Sequence, residues 1–260
     1  MIKLQMTMKS TTLLRPVQVF AFMPHGFFSS AGPYKTIWLL HSAIGDGSMF
    51  TDLAPLVELA NQKSYALIAP SLGNGYFADT TYEKQASFLM GELLPAMRRT
   101  LSVSSKKEDN ALLGVSMGGF GALRWALDMP DMISSVAVIS AYLGMPVPID
   151  ERVLKMKDLR ALYQVFNKGL MPRLLFDKNE KLLPDVDLLK LMDKAKVQGV
   201  SMPRIGLFCG DCDYLAIDQT KAFFSHCESE GISAELFLSE GSHTPDYWNS
   251  AILKAVEWLF

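Results

Sequence analysis

The sequence predicts an α/β fold, a mostly parallel sheet of about eight strands with helices on both faces. Three observations lead there. Short β-rich runs alternate with longer stretches of helical spacing along the whole chain. The runs are continuously apolar rather than alternating, which is the pattern of parallel strands covered on both sides. The composition, 49% hydrophobic and 20% charged over 260 residues, suits one sizeable domain spanning 1–260 with a well-filled core.

The elements follow in order. Residues 2–8 and 17–22 read as an antiparallel lead-in pair of strands, and 37–40, 65–69, 110–115, 136–139, 205–209 and 234–238 as the rest of the sheet. Helical spacing covers 48–60, 80–101, 117–128, 216–231 and 245–259. The last helix has a legible start, with Thr244 as N-cap, Pro245 at the first position and Asp246 in the first turn. Its Trp248, Ile252 and Val256 recur every four residues and should face the sheet. About sixty residues separate the strands ending near Ser140 and starting near Arg204, too many for a simple crossover. Helices are expected at 151–167 and 186–197. A crossover helix with a surface excursion would account for the segment. A helical partial lid at about 141–203 is favoured, its Met145, Met156, Met171, Leu174, Leu175, Leu188 and Leu191 shaping an acyl pocket.

Charge and cysteine content narrow the function. A net charge of −2 without blocks of like charge argues against nucleic acid or an anionic membrane as partner. Three cysteines, an odd number, argue against a disulfide framework. The N-terminus alternates apolar and polar residues, unlike a signal peptide, and no apolar run reaches membrane-spanning length. A cytoplasmic protein is expected, with room for assembly into a homo-oligomer.

Chemistry concentrates at 114–119, Gly-Val-Ser-Met-Gly-Gly, directly after an apolar strand. This is the Gly-x-Ser-x-Gly nucleophile elbow, in which a tight strand–helix turn presents the serine hydroxyl. Gly114 and Gly118 supply the small residues that the turn needs, and Gly119 lets the helix pack close to the sheet. Ser116 is the candidate nucleophile. The bland alternative is a strand–helix turn without chemistry.

A serine hydroxyl needs a base, and the base an orienting acid, in the chain order Ser, Asp or Glu, His. His25 and His41 precede Ser116 and read as a turn residue and a strand-end structural residue. His226 falls within a helix. His243 follows the last strand on a loop that can reach back to the elbow, and is the candidate base. After the strand 205–209 stand Asp211 and Asp213. Asp213 is favoured, because three residues beyond Gly210 leave room for the turn, whereas Asp211 would shape that turn. Two backbone N–H groups should form an oxyanion hole: that of Met117, and one from the loop 40–45, favoured at Ala43.

Other signals carry less. Cys209 and Cys212 form a Cys-x-x-Cys at a strand end, without the helix N-terminus of a redox pair or the two further ligands of a zinc site. Gly73-Asn74-Gly75 reads as a turn, and 106–109 as a solvated loop. No metal and no cofactor is called for.

Five segments resemble the α/β-hydrolase fold, esterase D branch, in particular the bacterial tributyrin-esterase type of carboxylesterase. They are Leu39-Leu40-His41 with its small-residue loop, 74–80 (Asn-Gly-Tyr-Phe-Ala-Asp-Thr), the elbow 114–119, 209–214 (Cys-Gly-Asp-Cys-Asp-Tyr), and Gly241-Ser242-His243 with Tyr247-Trp248. The resemblance implies a serine carboxylesterase for short acyl esters, without cofactor, with Asp213 as the acid and Tyr76 and Tyr214 as substrate-binding residues. It leaves open an S-formylglutathione-type thioesterase or a catalytically silent binding protein of the same fold. Ser42 stands where the family usually has glycine, which should alter the backbone of the oxyanion loop.

Overall fold

The computed structural model describes residues 1–29, 32–165, 168, 174–176, 183 and 186–260. Its sheet contains β1 (Ile2–Ser10), β2 (Arg15–Met23), β3 (Thr36–Leu40), β4 (Ala66–Pro70), β5 (Asn110–Val115), β6 (Ser135–Ile139), β7 (Arg204–Gly210) and β8 (Ala234–Ser239). They lie in the order β1-β2-β4-β3-β5-β6-β7-β8. β1 and β2 pair antiparallel with each other, β2 is antiparallel to β4, and the remaining neighbours are parallel. The helices are α1 (Ala54–Gln62), α2 (Gln85–Phe88), α3 (Leu94–Leu101), α4 (Met117–Asp128), α5 (Glu151–Lys155), α6 (Lys157–Tyr163), α7 (Leu188–Val197), α8 (Ile217–Ser229) and α9 (Pro245–Leu259).

Strand alternation divides the core between two faces. Trp38 and Leu40 of β3 and Leu112 of β5 join Phe120, Leu123 and Trp125 of α4 on one side. Ile37 and Leu39, with Ala111, Leu113 and Val115, join Leu56 of α1 and Ile252 and Val256 of α9 on the other. The central strands β3 to β6 are buried at every position, which is why they read as unbroken apolar runs. β8 differs from expectation: as the edge strand it leaves Glu235 and Leu238 exposed.

Several boundaries move. The helix expected at 48–60 is a 3₁₀ turn (Gly47–Phe50) followed by α1, because Asp46 caps the turn at Ser48 N–H (2.7 Å) before Pro55 restarts the chain as a helix. The one expected at 80–101 starts at Gln85 and carries a π turn at Leu89–Leu93 between α2 and α3. That turn sets Glu92 against the β1–β2 hairpin, where Thr11 Oγ1, Thr12 N and Thr12 Oγ1 donate to its carboxylate at 2.7–2.8 Å. α4 and α9 occupy the predicted spans, and Asp218 falls in the first turn of α8. Thr244 takes the N-cap backbone conformation, but its hydroxyl makes no capping bond.

In the segment 141–203 the helix expected at 151–167 is two short helices, α5 and α6, and its end lies partly outside the described residues. The expected acyl-pocket side chains are used elsewhere. Leu174, Leu175, Leu188 and Leu191 are buried in the main core and Met156 is exposed, while Met171 lies outside the described residues. No helix among the described residues is long and apolar enough to cross a membrane.

Candidate active site

The end of β5 meets the start of α4 in a turn with room for nothing larger than glycine on either side. A methyl group on Gly114 would overlap the Gly118 carbonyl, and one on Gly118 would overlap the Leu40 carbonyl at the end of β3. One on Gly119 would lie 2.8 Å from Ala141 Cβ. Between them Ser116 adopts φ 53° and ψ −114°, a region that non-glycine residues avoid. Its N–H donates to the Ile139 carbonyl at the end of β6 (2.7 Å), and its carbonyl accepts from Gly119 N–H (2.9 Å). The surrounding structure over-determines the turn, so the strain persists.

The hydroxyl of Ser116 lies 3.1 Å from His243 Nε2. His243 Nδ1 lies 3.0 and 3.1 Å from the two carboxylate oxygens of Asp213. Asp213 is fully buried, and the histidine side chain is 11% exposed. The loops bearing these residues are tied together. Gly241 N–H donates to Asp211 Oδ1 (3.2 Å), Cys212 N–H to the Gly241 carbonyl (2.9 Å), and Asp211 N–H to the Ser239 carbonyl (2.9 Å). Asp211 therefore shapes the turn, and Asp213 reaches the histidine. Trp248 packs edge-on against the His243 ring at 5.1 Å; it lies beside the imidazole rather than wholly on the sheet.

Among the histidines, His25 sits in an exposed turn, accepting from the N-terminal ammonium at Nε2 (2.6 Å), and His226 is half-buried on α8. His41 is fully buried; its Nδ1–H donates to the Ser42 carbonyl (2.8 Å) and its Nε2 accepts from Leu72 N–H (3.1 Å). Burial pushes its pKa below the usual 6.5, so it is held neutral. It anchors the loop opposite the elbow and takes no part in proton transfer.

That loop departs from expectation in one way. Ser42 lies outside the left-handed region; Ile44, at φ 63°, is its left-handed residue. A β-branched residue there is uncommon, and it is held by a hydrogen bond from Ile44 N–H to Asn74 Oδ1 (2.9 Å). The substitution of serine for glycine at 42 is thus conformationally neutral here. Ala43 and Met117 both line the cavity over Ser116. Met117, as the first residue of α4, has an N–H without an intrahelical acceptor, and no protein acceptor reaches Ala43 N–H among the described residues.

The cavity holds about 130 Å³. Ser116 and His243 open onto it, with Ile44, Tyr76, Phe120, Tyr142, Leu162 and Trp248 around them. Tyr76 is nearly buried at φ 57°, and burial, then the nearby Tyr142, raises its phenol pKa above the usual value. Tyr214 is absent from the lining, which takes Leu215 and Ala216 from the same loop instead. The Arg152 guanidinium lies over the Tyr214 ring at 3.8 Å. Sequence reasoning missed Tyr142, Leu162, Leu215 and Ala216, which carry no motif. It also missed the role of Asn74, although the stretch around it had been singled out. Cys209 is buried with its thiol pKa pushed up by desolvation, and all three cysteines are free.

Comparison with known proteins agrees with this geometry. The profile of the esterase family matches residues 10–158. An acetyl esterase of Caldicellulosiruptor saccharolyticus is 30% identical over 233 residues, covering 86% of this chain and 83% of that protein. The chain belongs to the esterase family. Among solved structures, the fluorophosphonate-binding serine hydrolase F (FphF) of Staphylococcus aureus superposes with a TM-score of 0.82 at 21% identity, covering 99% of this chain and 98% of that one. The S-formylglutathione hydrolase (FrmB) of Staphylococcus aureus gives 0.76 at 21%, with 99% and 98% covered. This esterase therefore has the α/β-hydrolase fold.

Proposed function

We propose that this esterase cleaves short-chain acyl esters of small molecules with Ser116 as nucleophile, His243 as base and Asp213 as the orienting acid. The observation that carries the assignment is the unbroken chain from Ser116 Oγ to His243 Nε2 (3.1 Å) and from His243 Nδ1 to Asp213 (3.0 Å). Asp213 fixes the tautomer that leaves Nε2 free to accept the serine proton. Ser116 Oγ attacks the ester carbonyl while His243 takes its proton. Charge grows on the carbonyl oxygen, which the N–H groups of Met117 and Ala43 stabilise. The tetrahedral species collapses, the C–O bond to the alcohol breaks, and His243 returns the proton to the leaving oxygen. Water then attacks the acyl-enzyme by the same route, giving the free acid and Ser116.

Size and lining support the short chain. A cavity of about 130 Å³ has the volume of roughly four waters at about 30 Å³ each, which suits a short acyl group. Tyr76 is proposed to contact the substrate. The segment at about 141–203 is proposed as a partial lid, on the ground that Tyr142 and Leu162 bring it to the cavity wall. A cytoplasmic location is proposed on the three free cysteines.

The test is hydrolysis of p-nitrophenyl acetate, butyrate and octanoate by wild type and Ser116→Ala. The variant should lose at least about a thousandfold in turnover, and wild type should prefer the shorter chains. Activity retained in Ser116→Ala would overturn the nucleophile; a preference for octanoate would overturn the short-chain reading.

A further inference from the structure

One wall of the cavity is attached to the rest of the molecule in an unusual way. After β6 the chain enters 141–145 as irregular backbone, with Gly144 at φ 73°. Tyr142 projects from this stretch into the cavity lining. Irregular backbone beside a buried core must find its hydrogen bonds somewhere. Here a single side chain supplies three of them. Gln219, on the first turn of α8 and 7% exposed, accepts at Oε1 from Leu143 N–H (3.3 Å) and Met145 N–H (2.9 Å). Its Nε2 donates to the Met145 carbonyl (2.9 Å).

The residue type fits this task. A carboxamide offers a donor and an acceptor side by side, so it can serve the N–H and C=O of one residue as a strand partner would. A glutamate would keep the acceptor and lose the donor, and a methionine of similar length would lose both. α8 is in turn bound to the acid loop, because Ala216 N–H and Ile217 N–H donate to the Asp213 carbonyl at 3.0 and 2.8 Å. Leu215 and Ala216 line the same cavity. The clamp thus ties the backbone beside Tyr142 to the loop that holds the catalytic carboxylate. Arg152, stacked on Tyr214 at 3.8 Å, makes a second tie between the same two segments.

We infer that Gln219 is a positioning residue for substrate selection: its amide fixes the 143–145 backbone so that Tyr142 forms a rigid wall of the ester-binding cavity. This rests on the catalytic assignment of Ser116. Gln219 touches neither the nucleophile nor the base, so its loss should change which esters are accepted while leaving Ser116 reactive.

The experiment compares wild type, Gln219→Glu, Gln219→Met, Tyr142→Ala and the double variant Gln219→Met/Tyr142→Ala. Steady-state kinetics are run on p-nitrophenyl esters of two to eight acyl carbons and on acetates of several alcohols. Labelling of Ser116 by a small fluorophosphonate is measured in parallel. Gln219→Met should change the ratio of kcat/KM between best and worst esters by at least about fivefold, mostly through KM, with Gln219→Glu between it and wild type. In the Tyr142→Ala background the same substitution should change that ratio less than about twofold, because the wall it positions is gone. An unchanged ratio in Gln219→Met, or effects that multiply in the double variant, would overturn the inference. Should Gln219→Met not fold, Gln219→Glu against Tyr142→Ala carries the same comparison. Wild-type labelling at Ser116 tests the catalytic assignment separately, so a flat profile in a labelled enzyme defeats only the role of Gln219.

Discussion

Asp213 and Asp211 stand two residues apart and do different work, which single substitutions will separate. Asp213→Asn should keep the fold and lower kcat on short esters by roughly 10³–10⁴-fold, since an amide cannot hold the tautomer that frees Nε2. Among the described residues the Asp211 carboxylate receives only the Gly241 N–H at 3.2 Å, and Asp211→Asn keeps that acceptor, so less than about a tenfold loss is expected. A large loss in the second variant with a small one in the first would reverse the two roles. At this scale the sequence was informative where spacing constrains chemistry. Ser116, Asp213 and His243 each follow a strand, in the order that the fold requires. Tyr142 and Gln219 were not legible, because nothing in a lone tyrosine or glutamine reveals which distant backbone it will meet.

Elements decide how those residues are held. The elbow works because β3, β5 and α4 approach to backbone contact, with Gly118 against the Leu40 carbonyl. Backbone cannot step aside as a flexible side chain can, so Gly118→Ala should cost about 3 kcal/mol or more of stability, read by denaturant unfolding. A loss under about 1 kcal/mol would show that the turn relaxes. At the other end of the sheet, the π turn at Leu89–Leu93 places Glu92 under the β1–β2 hairpin. Burial works to raise its carboxyl pKa, but hydrogen bonds from Thr12, Thr11 and Ser10 outweigh this and hold it at about 2. Glu92→Gln should lower Tm at pH 7 by roughly 2–4 °C, equivalent to about 1 kcal/mol. A carboxylate whose folded pKa is depressed stabilises above its unfolded value. The gap between the two proteins should therefore close as pH falls from 4.5 toward 2. The π turn itself had no sequence signature, since its residues continue a helical pattern.

For the molecule as a whole, the buried His41 links stability to pH. Its folded pKa lies below the usual 6.5, so the unfolded chain binds the proton more readily. Its contribution is full above pH 6.5 and is lost progressively as pH falls below that value. Thermal unfolding between pH 7.5 and 5 should show Tm dropping on the acidic side, and His41→Gln should flatten that drop while lowering Tm at pH 7.5. An equal acid slope in both proteins would place the proton uptake elsewhere. The same protonation would remove the acceptor that Nε2 offers Leu72 N–H, while Nδ1–H goes on donating to the Ser42 carbonyl.

The sequence by itself determined the sheet, the helices that flank it, and the order in which Ser116, Asp213 and His243 follow its strands. Periodicity and spacing are local properties, and a parallel sheet brings the ends of its strands to one edge wherever its connections run. Only the tertiary structure decided what surrounds the serine. The backbone at Ser42 stays out of the left-handed region, and Ile44 takes that conformation instead, its N–H donating to Asn74 Oδ1. Tyr214 was turned from the cavity toward Arg152, and Tyr142 was held at its wall through Gln219. These are contacts between segments far apart in the chain, set by packing in three dimensions rather than by any local pattern.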